Sequence, residues 1–486
     1  MARFNIRNTN RIMNADGYPA YPMQEKEELM AAVLTSMFGE EKFYGRTDGN
    51  IVRLAEIIAV RDPEFLAKLA CYARNRANLR SVSHVLTAVI ARHANAYTRI
   101  VIRNVVVRPD DITEIMACYR TMYGKPFPNA MKREIAIVMQ KFNAYQFEKY
   151  DTGRDITFKD VLRIVHPVPA NEQIEELFGR ILDDALETPY TWETELSAKG
   201  NTKEVWNELG TSGKLGYMAA LRNLRNILTA GADIRPVLEM LADAENVRRS
   251  RQLPFRFYAA YKSLLDAGLM TSEIREALEK ALTASVGNME RIPGRTLIAV
   301  DTSGSMSCAL SRRSDMRCID IAALMGALAH HICDDAAVCY FSAPNSTDPL
   351  GYHIAHYGRY DSILEICRQT AAASGCTNMH LPLIYALQED TASRPFDRII
   401  YFSDNMCNSS YAGLKTVQSE ADQYRQRFNR DLWVHGIDLQ GYGTQQFCGK
   451  RFNLIAGWNE GILGFITRAE NGFGDLMAEI SNYEMK

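Results

Sequence analysis

The feature that most constrains this chain is a change of texture between Gly287 and Gly294. From about residue 25 to 285, apolar residues recur at helical spacing, and no strand-like alternation interrupts them. After Gly294, short β-branched runs alternate with helical segments. The first texture predicts an all-α, HEAT-like array of stacked helix pairs, although no strict sequence period is present. The second predicts a doubly wound parallel sheet covered by helices on both faces. Two domains are expected, residues 1–290 and 291–486, since 486 residues exceed what one core organises.

Several helices announce their own starts. Asp62-Pro63-Glu64 precedes Phe65, Leu69 and Tyr72, which share a face, with Pro at the first helical position. Asp110-Asp111 leads into Ile112, Ile115, Met116 and Tyr119, the spacing of one buried stripe. Met131, Ile135, Val138 and Phe142 repeat it, as do Met218, Leu221, Leu224 and Leu228, closed by Gly231. Helices are further predicted at 236–245, 254–267 and 272–284, while Pro167, Pro169 and Pro189 break up the segment 148–210. In the second half, strands are predicted at 296–300, 336–342, 397–403, 431–438 and 453–456. Helices are predicted there at 319–333, 361–373, 380–389 and 415–428, with another at the end.

Composition narrows the class. Hydrophobic residues make up 47% and charged ones 23%, as in folded soluble proteins. No run approaches 18 apolar residues, and the opening residues lack a signal peptide's apolar core, so a cytoplasmic protein without membrane attachment is expected. Ten cysteines without a C-x-x-C pair suit buried thiols in a reducing compartment. Residues 51–150 hold 16 Lys and Arg against 8 Asp and Glu, whereas residues 291–486 hold 17 against 21. A polyanion would therefore find its match in the first half. A basic section also arises whenever helix faces are solvated, so charge by itself does not name a ligand.

The run Asp301-Thr302-Ser303-Gly304-Ser305 follows the strand-like Thr296-Leu297-Ile298-Ala299-Val300. One carboxylate and two hydroxyls at alternate loop positions suit a small hard cation. Thr377 lies in Ser374-Gly375-Cys376-Thr377-Asn378, and Asp404 ends Arg398-Ile399-Ile400-Tyr401-Phe402-Ser403-Asp404. This D-x-S-x-S … T … D order resembles the metal-ion-dependent adhesion site of von Willebrand factor A domains. The resemblance implies Mg²⁺ held directly by Ser303, Ser305 and Thr377, with Asp301 and Asp404 acting through bound water. An open position would accept a partner's carboxylate or phosphate oxygen. None of these groups is an evident nucleophile or base, so a binding site and no enzyme is expected.

Other strings carry a second resemblance. Phe65-Leu66-Ala67-Lys68-Leu69-Ala70-Cys71-Tyr72-Ala73-Arg74 resembles a repeat helix of the TROVE module of the Ro autoantigen family. Phe147-Glu148-Lys149-Tyr150, Thr157 to Arg163, and His166-Pro167 resemble its central signature. Leu221-Arg222-Asn223-Leu224 and Ser250-Arg251-Gln252-Leu253-Pro254-Phe255 match two more. The similarity runs from Gly17 through the terminal helix, and an A-type domain after a helical array belongs to the same family. The resemblance implies a monomer whose helices close into a ring. It implies small non-coding Y RNAs on the outer surface, single-stranded ends of misfolded RNAs in a central hole, and a role in RNA quality control. It further implies an exoribonuclease partner, tethered through Y-like RNA as in bacterial relatives.

The matching Y RNA positions are Lys149, Lys159, Arg163 and His166. Lysine and arginine neutralise phosphates, and histidine can bond or stack on an exposed base. Each also has a plain structural reading: solvated lysines, an Arg163–Asp160 pair, a histidine that closes a helix. Candidates for the hole are Arg74, Arg76, Arg80, Arg222 and Arg251, with Arg92, Arg99, Arg103, Arg108, Arg225, Arg248 and Arg249 beside them. Asp151, Asp155 and Asp160 make the stretch before His166 less basic than an RNA site favours. Two other classes compete. A protein-interaction scaffold without RNA would use the same solenoid. A metal-dependent phosphoesterase would need a second carboxylate cluster, and no such cluster, HExxH or P-loop is present in the sequence.

Overall fold

Asp62 shows how the helical region is built. Its Oδ1 accepts from the Phe65 amide at 3.1 Å, and Pro63 opens the Pro63–Asn75 helix, where a missing N–H leaves no bond unmade. The computed structural model describes residues 12–13, 19–22, 25–34 and 48–486, apart from 151–154, 188, 214, 251, 253, 288, 312–313, 347, 359–360, 371–373, 389–392, 408–414, 441–443, 450, 457–460 and 471–475. A helical region is followed by an α/β domain with a mixed sheet. No described helix is long and apolar enough to cross a membrane.

Packing divides the chain into two compact units. One comprises residues 39–215 with 476–486, the other residues 1–38 with 216–475. In the first, the Pro63–Asn75 helix packs on Arg80–His93 and Thr98–Val105, and Arg80–His93 packs on Pro109–Tyr123. The anticipated stripe is the buried one: Ile112, Ile115 and Met116 are fully enclosed and Tyr119 nearly so. Met131, Ile135 and Val138 are likewise enclosed. The last residues of the chain dock here too. The Tyr72 hydroxyl donates to Glu479 at 3.1 Å, its ring meets Tyr483 edge-on at 5.9 Å, and Lys68 Nζ donates to the Ser481 carbonyl at 2.7 Å.

In the second unit the sheet strands are β1 (Ile292–Asp301), β2 (Cys333–Phe341), β3 (Tyr352–Ala355), β4 (Arg398–Ser403), β5 (Trp433–Asp438) and β6 (Phe452–Ala456). Their order is β6-β5-β4-β1-β2-β3, parallel except for the antiparallel edge strand β3. The parallel sheet expected from the sequence is present, with this one antiparallel strand at its edge. Tyr352-His353-Ile354-Ala355 is short and half-exposed, so it lacks the apolar run that marks the inner strands. Leu297 to Val300 and Ile399 to Phe402 are fully buried, as central strands covered on both faces must be. β1 lies between β2 and β4, so the chain reverses its direction of travel across the sheet at β1/β4. A crevice outside the carboxyl ends of these strands is where such folds bind ligands.

The helices at 217–286 pack with this sheet domain, so the texture change near residue 290 is no packing boundary. Lys262 pairs with Asp320. Glu279 accepts from the Ser362 hydroxyl and the Ile363 amide at 2.8 Å each, and from the Leu364 amide at 3.2 Å. It thereby satisfies amides at the start of the Ile363–Gln369 helix that have no intrahelical partner. Strand Pro19–Pro22 pairs antiparallel with Ile12–Met13 and with Thr444–Gln445 in the same unit.

Candidate metal centre and nucleic-acid surfaces

Asp301 ends β1, and its carboxylate is fixed from two sides. The Ser303 amide donates to Oδ1 at 2.8 Å and the Ser403 hydroxyl to Oδ2 at 2.6 Å. The loop after β1 is stitched to the loop bearing Thr377: Gly304 N–H donates to the Gly375 carbonyl at 2.8 Å, and Ser374 N–H to the Thr302 carbonyl at 2.9 Å. A methyl at position 304 would stand 3.1 Å from the Gly375 carbonyl oxygen, so glycine lets the loops meet. The Thr377 carbonyl accepts from the Cys407 thiol at 3.6 Å, which ties this loop to the one that follows Asp404. Strand ends and loop bonds thus draw all three sequence segments to one place.

Asp301, Ser303 and Asp404 are fully buried and Thr377 nearly so, whereas Ser305 is exposed with its hydroxyl 3.2 Å from that of Ser303. Burial, and then the neighbouring Asp404 carboxylate, pushes the Asp301 carboxyl up to about 7. The buried Asp301 and Asp404 carboxyls, beside three hydroxyls, form an oxygen-only donor set of the kind hard cations take. The residues fit such an ion. Among the described residues no group of three or more His, Cys, Asp or Glu side chains forms a site, so any centre here depends on its hydroxyls. Ser403, which fixes Asp301, was legible as the residue before Asp404, but nothing in the sequence marked it as a donor.

The basic residues of the helical region behave in two ways. The Phe158–Val165 helix opens with a reciprocal cap: Asp160 N–H donates to Thr157 Oγ1 at 3.1 Å, and Thr157 N–H to Asp160 Oδ2 at 2.9 Å. It closes at His166, whose φ of 47° is left-handed. One face buries Phe158, Val161 and Leu162, and Phe158 meets Phe147 edge-on at 4.9 Å. That contact seats the Ala144–Tyr150 helix, which carries Lys149, against the helix carrying Arg163. Lys149, Arg163 and His166 are exposed. Lys159 pairs with Asp184 at the surface. Asp160 is held below its usual range by the Thr157 backbone bond first, so its capping role is the stronger one, with Arg163 adding only charge.

Arg74 and Arg80, named among the candidates for the hole, are both paired with buried carboxylates. Arg74 Nη2 donates to Asp111 Oδ2 at 3.0 Å, and Arg80 Nε to Asp111 Oδ1 at 2.6 Å. Arg80 Nη2 also lies 2.6 Å from Asp110, whose other partner is Arg108. His84 Nε2 and the Val107 and Arg108 amides complete the shell of the buried Asp111. Arg99 and Arg103 similarly converge on buried Glu134. Buried carboxylates demand paired cations, so much of the local excess of arginine is internal balance. Arg76 and Arg222 are exposed, and Arg251 lies outside the described residues.

The family model described as TROVE domain matches residues 38–185 and 184–313, and that of the Ro60 vWA domain matches residues 295–439. The chain therefore belongs to the TROVE-domain Ro family. Telomerase protein component 1 of Rattus norvegicus is 24% identical over 335 residues, half of this chain but 13% of that protein. The RNA-binding protein RO60 of Deinococcus radiodurans is 28% identical over 237 residues, 44% of this chain and 41% of that one. The chain thus matches well under two thirds of these relatives' own length. The crystal structure of the Deinococcus radiodurans Ro (RSR) protein shares the fold at a TM-score of 0.64, with 17% identity, covering 91% of this chain and all of that one.

Proposed function

We propose that this chain is an RNA-binding protein that takes small non-coding Y-like RNA on the surface formed by Lys149, Lys159, Arg163 and His166. The single observation that carries the reading is the exposure of Arg163 and His166 on the last turn of a helix whose opposite face is locked into the core. A charged, rigidly seated edge can neutralise phosphates, and an exposed imidazole can stack on or bond to a splayed base. The exposed Arg76 and Arg222, and Arg251 on its place in the sequence alone, are candidates for a second ligand, single-stranded ends of misfolded RNA in a central hole. That the Deinococcus radiodurans relative is an RNA-binding protein, RO60, supports the same class of ligand here. A role in RNA quality control with an exoribonuclease partner, in the cytoplasm, follows from the family resemblance.

The second element of the proposal is Mg²⁺ at Ser303, Ser305 and Thr377, with Asp301 and Asp404 behind them. When bound, the ion would offer a position to a partner's acidic oxygen. Asp301 fixes the loop through the Ser303 amide, and Ser403 holds Asp301. No nucleophile and base stand together among these five donors, so the role is adhesion. Fluorescence anisotropy with a structured small RNA and with a plain single strand tests the RNA reading. Affinity should fall steeply between about 50 and 200 mM salt, because each neutralised phosphate releases counterions. Arg163→Ala with His166→Ser should weaken structured RNA roughly tenfold or more, at about 1.5–3 kcal/mol per charge-assisted contact, and spare the single strand. Binding indifferent to salt, or equal loss for both RNAs, would sink it. Asp301→Ala should abolish Mg²⁺ uptake in calorimetry while leaving RNA affinity in place.

A further inference from the structure

We propose that Cys308 and Cys318 are a modification site: a thiol pair that closes reversibly into a disulfide when a small disulfide of the glutathione class oxidises it, clamping the loop that carries Ser303 and Ser305. The two sulfurs lie 3.1 Å apart. They face one another across the hairpin of strands Ala309–Ser311 and Ser314–Arg317, one step beyond the Ala309–Arg317 pair. Cys318 N–H donates to the Cys308 carbonyl at 3.1 Å, fixing that register. Directly opposed residues of an antiparallel pair hold their Cβ atoms about 4.5–5.5 Å apart, close to the roughly 3.5–4.5 Å a disulfide requires. The Gln440 amide donates to both sulfurs, at 3.0 Å to Cys308 and 2.6 Å to Cys318, and holds them side by side. None of the ten cysteines is bridged in this structure.

The position gives the bond a consequence. Cys308 N–H donates to the Ser305 carbonyl at 3.1 Å, closing the short 3₁₀ turn Gly304–Ser307. Cys318 begins the buried Cys318–Ile332 helix that packs on β1. A bond between them would fasten the turn to the sheet's own helix. Cys308 is half-buried and Cys318 fully buried, so Cys308 meets the oxidant first. Its thiolate attacks one sulfur of glutathione disulfide, that S–S bond breaks, and one glutathione leaves as a thiol, carrying the proton Cys308 gave up. Cys318 then attacks the Cys308 sulfur of the mixed disulfide and releases the second glutathione, which takes the Cys318 proton. Two protein thiols lose two electrons in total, and the oxidant disulfide gains them.

The test uses the full chain incubated with glutathione disulfide, then alkylated and peptide-mapped without reductant. The expected product links Cys308 to Cys318, two hydrogens lighter, and reverts with dithiothreitol. Cys308→Ser and, separately, Cys318→Ala should each abolish it, while Cys376→Ser leaves the yield unchanged. Circular dichroism of both variants establishes that loss of the product is not loss of folding. Amide exchange across 302–308 should slow in the oxidised form. Accumulation of glutathionylated Cys308 with no internal bond, or preferential bridging of Cys376 or Cys448, would overturn the site. A linked product with unaltered exchange would overturn the clamp.

Discussion

At the scale of single residues, the buried carboxylates of Asp111 and Glu134 draw Arg74, Arg80, Arg99 and Arg103 to them. Asp111 gathers two arginines, a histidine and two backbone amides, and its environment should be visible in the pH dependence of stability. Burial first, against the pull of its bond to Asp111, holds His84 below its ordinary 6.5. The unfolded chain therefore takes up that proton before the folded one does. The contribution is present above about 6.5 and is lost as pH falls toward the lowered folded value. Asp111 acts in the same direction: burial alone would raise it, but His84, Arg74 and Arg80 hold it well below the carboxylate range. Its share is present above about 3.8 and lost below. Urea midpoints should accordingly drop between about pH 7.5 and 5, in the range where histidine titrates. His84→Gln, which keeps a donor without the proton, should flatten that slope. The identities Asp110-Asp111 were legible as a helix start, but their partners at residues 74, 80 and 84 were not. Pairing across helices leaves no spacing to read.

At the scale of elements, local sequence was a good guide. Predicted and observed helices agree to within a few residues at 254–267, 272–284, 319–333 and 415–428, because caps and apolar periods are local physics. What escaped were short pieces whose residues lack an apolar run, such as β3 and the hairpin at 309–317. One of the bonds that join the helices at 217–286 to the sheet domain was equally hidden. Glu279 reads as a solvated carboxylate on Ser272–Val286, yet it caps a helix that starts 84 residues later. Glu279→Ala should lower stability by about 1–3 kcal/mol, since it leaves donors at a helix start unmatched. Glu279→Gln, which retains one acceptor, should lose less. Thermal unfolding followed by circular dichroism reads both, and equal, negligible shifts would refute the cap's importance.

At the scale of the whole molecule, the chain passes between its two packing units at 38/39, 215/216 and 475/476. A single cut near 212–216 therefore severs one connection and leaves each fragment with parts of both units. The two fragments should co-elute by size exclusion after cleavage at a protease site inserted there, and separate only in denaturant. Dissociation in native buffer would contradict the docking of residues 476–486 on the Pro63–Asn75 helix. Sequence alone determined the helical region, the sheet domain and the membership that links them, for these reside in periods, caps and ordered motifs. Tertiary structure alone decided which arginines face inward, where one packing unit ends, and which thiols meet. Those outcomes depend on charges and side chains brought together from distant positions, and a carboxylate out of water selects its cation by distance in space.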